Sequence, residues 1–184
     1  MKKLIDPHGG YHNLKSYQTT EIIYDATVVF CDRFIDRYSR TKDQMVQAAR
    51  SGKQNIAEGS MASGTSKKTE LKLIGVARAS LEELLLDYQD FLRQHKLELW
   101  EKSDLRSHEV RQLCYRSHRS YATYKSYFEG AAESAANAVI CLIHQANFLL
   151  DRLLSELDQK FLREGGFTEK LYRSHKSYRT HKTY

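Results

Sequence analysis

The sequence predicts an all-α protein, an antiparallel four-helix bundle with an additional helical and basic extension. The 184 residues include one proline and nine glycines, whereas a sandwich of short strands needs turn residues about every ten positions. Four long segments repeat apolar residues at spacings of three and four, the pattern of amphipathic helices. Because a chain of this length buries one sizeable core, we expect a single domain with four core helices.

Three of the four predicted helices follow from this periodicity alone. The first spans about Tyr17 to Tyr38, the third about Lys67 to His95, and the last about Ala131 to Arg163. Gly165 and Gly166 are expected to close the last helix. The chain is thereby divided into an N-terminal arm (residues 1–16), helices one to three (17–98), a helical connection with a basic segment (99–130), the fourth helix (131–166) and a basic tail (167–184).

The second helix is predicted from its capping residues and its glycines. TKDQ, which begins at Thr41, is a capping-box pattern, so the helix should begin at Ser39 or Thr41. Ser51 and Gly52 weaken helix propensity and predict a bend. Gly59 predicts the end of the helix.

A tyrosine-rich basic segment occurs twice in the chain. Tyr115 to Tyr127 reads YRSHRSYATYKSY and Tyr172 to Tyr184 reads YRSHKSYRTHKTY, with nine identities in thirteen positions. We call these segments the first array and the second array. Each repeats a tripeptide of Tyr or His, usually Lys or Arg, and then Ser or Thr. Together they hold seven of the 29 Lys and Arg residues and none of the 23 acidic residues, so the rest of the chain is close to neutral.

The two arrays are the predicted nucleic-acid contact. Tyrosines spaced by three spiral around an α-helix and therefore cannot all be buried on one partner. Lys and Arg neutralise phosphates, and aromatic rings stack on the bases of single strands. At the start of the third helix, free amides beside two lysines would attract a phosphate. The predicted contact residues are Arg116, Arg119, Tyr121, Tyr124, Lys125, Arg173, Lys176, Tyr178, Arg179 and Lys182, together with Lys67 and Lys68.

No catalytic site, metal site or cofactor is predicted. The loop from Gly59 to Ser66 has the glycine spacing of a P-loop, but Thr65 stands in place of the lysine and the loop joins two helices. No Glu-x-x-His pair and no nucleophile motif occurs. Cys141 and His144 would make half a metal site. We expect instead a polar seam against a neighbouring helix or subunit, formed by Asn137, Cys141, His144, Asn147 and Asp151.

The expected location is the cytoplasm, without membrane insertion. The N-terminus has two lysines but lacks the apolar segment of a signal peptide, and polar residues interrupt the most apolar stretch, residues 135–150. The three cysteines are far apart and form no CxxC pair, which fits a reducing compartment.

Two segments carry a resemblance to a known family. SGKQNIAEGS, Ser51 to Ser60, and VARASLEELL, Val76 to Leu85, resemble the bacterial four-helix-bundle proteins encoded in intervening sequences of 23S ribosomal RNA. The region after them is similar to the suffix region of that family's longer subgroup. The family is related to the accessory variability proteins of diversity-generating retroelements. The resemblance implies a closed ring of five subunits that binds nucleic acid and a partner reverse transcriptase.

Two functions therefore remain open at the level of sequence. The first is a non-catalytic accessory protein that binds RNA or single-stranded DNA and supports a reverse transcriptase or an RNA-processing system. The second is an oligomeric scaffold that binds no nucleic acid. In the second case the arrays are passive products of replication slippage or pack between subunits.

Overall fold

A computed structural model of the chain describes residues 7–169, 171–172 and 176. Within these residues all regular structure is helical, as the sequence predicts. The helices are α1 (Lys15–Phe34), α2 (Arg40–Ala62), α3 (Lys67–Gln94), α4 (Leu105–Leu113), α5 (Lys125–Phe128) and α6 (Ala132–Glu164). Short 3-10 turns at Tyr11–Asn13 and Tyr121–Tyr124 precede α1 and α5.

The four long helices enclose the core. α1 packs on α2 and α6, and α3 packs on the same two helices. α3 and α6 run in opposite directions, because Arg78 pairs with Asp151 at 3.1 Å while Trp100, which follows α3, hydrogen-bonds Asn137 near the start of α6. Each fully buried large side chain stabilises the fold by about 1.5–3 kcal/mol. These side chains include Ile23, Phe30, Met45, Ile56, Ile74, Leu81, Leu84, Tyr88, Leu142 and Ile143.

Local signals set the helix boundaries. Ser39 caps α2 by accepting a hydrogen bond from the Thr41 amide at 3.2 Å, and Ser66 caps α3 by accepting one from the Thr69 amide at 3.2 Å. The first helix ends at Phe34, four residues earlier than predicted, because Ile35 has extended backbone.

The predicted end of the second helix at Gly59 is wrong, since α2 continues to Ala62 and also runs through Gly52. Both glycines face α3. A Cβ atom on Gly52 would lie 2.8 Å from Cδ2 of Leu81, and one on Gly59 would lie 3.3 Å from Cδ1 of Ile74. Their missing side chains let the two helices approach closely.

Polar side chains join the same two helices. Ser51 and Ser80 share a hydrogen bond of 2.9 Å, and the Asn55 amide donates to the Ser51 carbonyl at 2.9 Å and to its hydroxyl at 3.0 Å. The segments that carry the family resemblance therefore meet in the α2–α3 contact.

One segment, Ala132–Glu169, is long and apolar enough to cross a membrane by length and composition. The core helix of a globular protein meets the same criteria. In this structure α6 packs on α1, α3, α4 and α5, and its buried side chains lie between residues 135 and 150.

We expect opposite effects from alanine at two glycines of this fold. Gly52→Ala should lower the free energy of unfolding by about 1 kcal/mol or more, because Leu81 is fully buried and has little room to move. Gly75→Ala in α3 is the control, because no heavy atom lies within 4 Å of its added Cβ. It should raise the free energy of unfolding by about 0.5–1 kcal/mol through helix propensity. Urea unfolding of both variants measures the difference, and equal shifts would contradict the close-packing role of Gly52.

Candidate nucleic-acid interface

The first array folds onto the body of the protein through its tyrosines. The array follows α4, and its middle forms the 3-10 turn Tyr121–Tyr124. Side chains three residues apart lie on the same side of a 3-10 helix, so the tripeptide period brings Tyr121 and Tyr124 together. Their ring centroids lie 5.2 and 5.7 Å from that of Phe128. As predicted, the rings of the array are not all buried on one partner, since Tyr115 is 83% exposed. The 3-10 turn nevertheless aligns two of them, which α-helical geometry would separate.

Tyr124, one of the predicted contact residues, is not accessible to nucleic acid. Its side chain is fully buried, and its hydroxyl donates to Sγ of Cys114 at 3.5 Å. Burial raises the pKa of this phenol, and the Cys114 contact raises it further. A ring with no exposed face cannot stack on a base. Tyr121 is half-buried, and its hydroxyl is enclosed without a hydrogen-bond partner.

Polar contacts fix the array and the residues directly after it to neighbouring helices. The Arg33 guanidinium of α1 donates to the carbonyls of Phe128 at 2.7 Å and Gly130 at 2.9 Å, so it holds the end of α5. The Tyr127 hydroxyl donates to a Glu109 carboxylate oxygen of α4 at 3.3 Å. Arg119 reaches the side-chain oxygen of Gln145 in α6 at 3.4 Å. The array is thus held on three sides.

The beginning of the first array remains at the surface. Tyr115 is 83% exposed, and Arg116 and His118 are exposed beside it. Lys125 is exposed and forms a long ion pair with Glu129 at 3.8 Å. Tyr115 was not among the predicted contact residues. The sequence indicated only that it is the first tyrosine of the array.

The structure does not bring Lys67 and Lys68 to this surface. Both begin α3, where Lys67 pairs with Glu70 at 3.1 Å and Lys68 is exposed. Because α3 and α6 are antiparallel, these lysines lie beside the end of α6, whereas the first array contacts α6 at Gln145. About 25 Å of helix separates the two positions.

The second array follows the end of α6. Its described members, Tyr172 and Lys176, are exposed. Four predicted contact residues, Arg173, Tyr178, Arg179 and Lys182, lie outside the described residues. The first array therefore precedes α6 in the chain and the second array follows it, and α6 is about 50 Å long.

Other polar groups of α6 form the expected seam against its own chain. Asn137 donates to the Glu98 carbonyl at 2.8 Å, Asn147 donates to Glu82 at 3.3 Å, and Asp151 pairs with Arg78. Burial lowers the pKa of His144, which lies in the same seam. Among the described residues, no three His, Cys, Asp or Glu side chains are grouped so that they could hold a metal ion.

Comparisons with protein-family models, curated proteins and solved structures find no match to this chain.

Two tyrosines of the first array should differ sharply in their effect on stability. Tyr124→Ala leaves a cavity under the array and should lower the free energy of unfolding by about 3–5 kcal/mol. Tyr115→Ala, the matched control, should change it by less than about 0.5 kcal/mol because the ring is exposed. Chemical denaturation followed by circular dichroism measures both. A small effect of Tyr124→Ala would show that the array is not anchored as described.

Proposed function

We propose that this chain is a non-catalytic accessory protein that binds RNA or single-stranded DNA through its two arrays. The observation that supports the proposal is the surface formed by Tyr115, Arg116 and His118. An exposed ring and an exposed cation are adjacent on a segment whose later residues Tyr124 and Arg119 contact the body. The backbone of this segment is held by the amides of Tyr115 and Arg116, which donate to the last turn of α4, so less conformational entropy is lost on binding than for a free chain.

The chemistry of this surface favours single strands. A tyrosine ring stacks on a base only when the base is unpaired, and each such contact contributes about 1–3 kcal/mol. Arg116 neutralises a phosphate and releases its counterion. Because the rest of the chain is close to neutral, the arrays are the main source of attraction for a polyanion.

We further propose that the four long helices form an antiparallel four-helix bundle and that copies assemble into a closed ring. The bundle is supported by the way α1 and α3 each pack on both α2 and α6. The family resemblance implies five subunits and a reverse transcriptase partner. A ring would present every array several times, and linked weak contacts raise affinity without new chemistry.

A scaffold without nucleic-acid binding is the second candidate. It is favoured by apolar side chains that stay at the surface of α3 and α6. Val76 is 40% exposed, Leu86 55%, Phe148 60% and Leu162 76%. Contacts between copies would cover such side chains.

Binding of a labelled oligo-uridine RNA, followed by fluorescence anisotropy across a salt series, tests the first candidate. Replacing Arg116, Arg119 and Lys125 with serine should weaken binding at low salt. It should also reduce the salt slope by up to about 2, since each lost phosphate contact removes about 0.7. The same change at the four cations of the second array should act in the same direction.

A charge-matched variant controls for net charge. Arg50→Ser, Lys72→Ser and Lys102→Ser remove three exposed cations outside the arrays. Equal losses in the control and array variants would contradict the array mechanism. Absence of RNA binding by the unmodified chain, together with an oligomer in light scattering, would favour the scaffold.

A further inference from the structure

Three tyrosines are exposed among those that the structure describes. Tyr38 is 80% exposed, Tyr115 83% and Tyr172 69%, whereas the other described tyrosines are half-buried or buried. All three share one local sequence, a tyrosine with an arginine beside it and a serine within two residues. Tyr115 and Tyr172 begin the two arrays. Tyr38 lies outside both arrays, between Arg37 and Ser39.

Tyr38 is exposed because α1 ends before it. The sequence pattern predicted that the first helix continues to Tyr38, but the backbone is extended at Ile35, so Tyr38 belongs to the connection between α1 and α2. Hydrogen bonds hold this connection. The Tyr38 amide donates to the Asp36 carboxylate at 2.7 Å, and the Ser39 amide donates to the Asp36 carbonyl at 3.0 Å. The ring is therefore presented by an ordered backbone.

Two exposed arginines flank the ring, and neither forms an ion pair within the part of the chain that the structure describes. The Arg37 guanidinium carbon lies 4.6 Å from the centroid of the Tyr38 ring, a cation–π contact. Arg40 is the first residue of α2. By contrast, Lys42 is bound to Asp32 at 2.7 Å. The ring and both arginines are thus available to a ligand.

This combination fits an unpaired base with its phosphates. Bases stack on tyrosine rings and on guanidinium planes, and arginine neutralises the neighbouring phosphate. A purely apolar partner would cover the ring but leave the arginines unpaired. Residues 32–43 hold four cations and three acids, so the stretch attracts a polyanion only weakly over distance. It would add a stacking contact, while the arrays supply the long-range attraction.

The connection lies at the same end of the body as the end of the first array. Arg33, one turn before the connection, donates to the carbonyls of Phe128 and Gly130 directly after the array. Nearer the beginning of the array, Arg119 reaches Gln145, about 20 Å along α6 from its first turn. A stacked strand advances about 3.4 Å per nucleotide and covers this distance in about six. Single-strand sites occupy about 4–16 nucleotides.

We propose that Tyr38, with Arg37 and Arg40, is a further contact for single-stranded nucleic acid, on the strand that the first array binds. The inference rests on the proposed function, because it extends the ligand of the array to a second point on the body. One unpaired base would stack on Tyr38, and the arginines would contact the phosphates beside it.

Substitutions at Tyr38 test the stacking contact. The probe is a labelled oligo-uridine RNA of about 16 nucleotides, followed by fluorescence anisotropy. Tyr38→Leu keeps an apolar side chain but removes the flat ring, so it should weaken binding at least about fivefold. Tyr38→Phe keeps the ring and should leave affinity within about twofold. Because the side chain is exposed, both variants should keep the thermal midpoint of the unmodified chain.

A charge-matched pair of variants tests the arginines. Arg37→Ser with Arg40→Ser should reduce the salt slope of binding by up to about 1.4, since each lost phosphate contact removes about 0.7. Arg50→Ser with Lys72→Ser removes the same charge from exposed positions elsewhere and should leave affinity within about twofold. Ultraviolet crosslinking of an oligo-4-thiouridine, mapped by mass spectrometry, should attach RNA at Tyr38.

The outcomes separate this contact from the proposed function. If the first-array variant weakens binding while Tyr38→Leu does not, only the Tyr38 contact is overturned. Equal effects of Tyr38→Leu and Tyr38→Phe, or of the two charge-matched variants, would also overturn it. If Tyr38→Leu weakens binding and the array variants do not, the array mechanism is wrong and the Tyr38 contact stands. Absence of RNA binding by the unmodified chain overturns both.

Discussion

The close approach of α2 and α3 is the constraint on which the rest of the structure depends. Gly52 and Gly59 lack side chains where Leu81 and Ile74 cross the interface, so the two helices pack nearer than residues with a Cβ would permit. The Ser51–Ser80 hydrogen bond fixes their register. α6 then packs on α3, and α1 packs on α2 and reaches α3 through the Tyr88–Thr27 hydrogen bond and the Phe30 ring. A wider α2–α3 spacing would leave voids beside the buried side chains of Leu81 and Ile74.

The long helices of this protein could be predicted from the sequence, and so could the end of α6 at Gly165, but the roles of Gly52 and Gly59 could not. The spacing of apolar residues predicted both ends of α3 and of α6 to within one residue. A helix that is buried along one face has apolar residues at spacings of three and four, so its position can be recognised in the sequence. The sequence around Gly59 is compatible both with the end of a helix and with the close packing of a neighbouring helix. Which of these two roles applies depends on the helix that packs against Gly59, and the neighbouring residues in the sequence do not identify that helix.

The conformation of the first array likewise could not be predicted from the local sequence. Its charge and tyrosine content were visible in the sequence, yet the tripeptide period was interpreted with α-helical geometry. In the 3-10 turn that forms, the period aligns rings instead of dispersing them. Tyr124 is therefore an anchor, whereas Tyr115, at the start of the same array, is exposed at the surface. The second array has His181 at the position equivalent to Tyr124, so the two copies differ at the residue that does the anchoring.

The Tyr121–Tyr124 turn also bears on how such a segment can evolve. Gain or loss of a whole tripeptide ahead of the turn leaves every buried ring in phase, whereas a shift of one or two residues would place a serine or a cation under Phe128. Replication slippage in a repeated tract adds and removes whole units. Expansion or contraction by whole tripeptides would therefore change the number of surface cations and leave the buried rings of the turn in place.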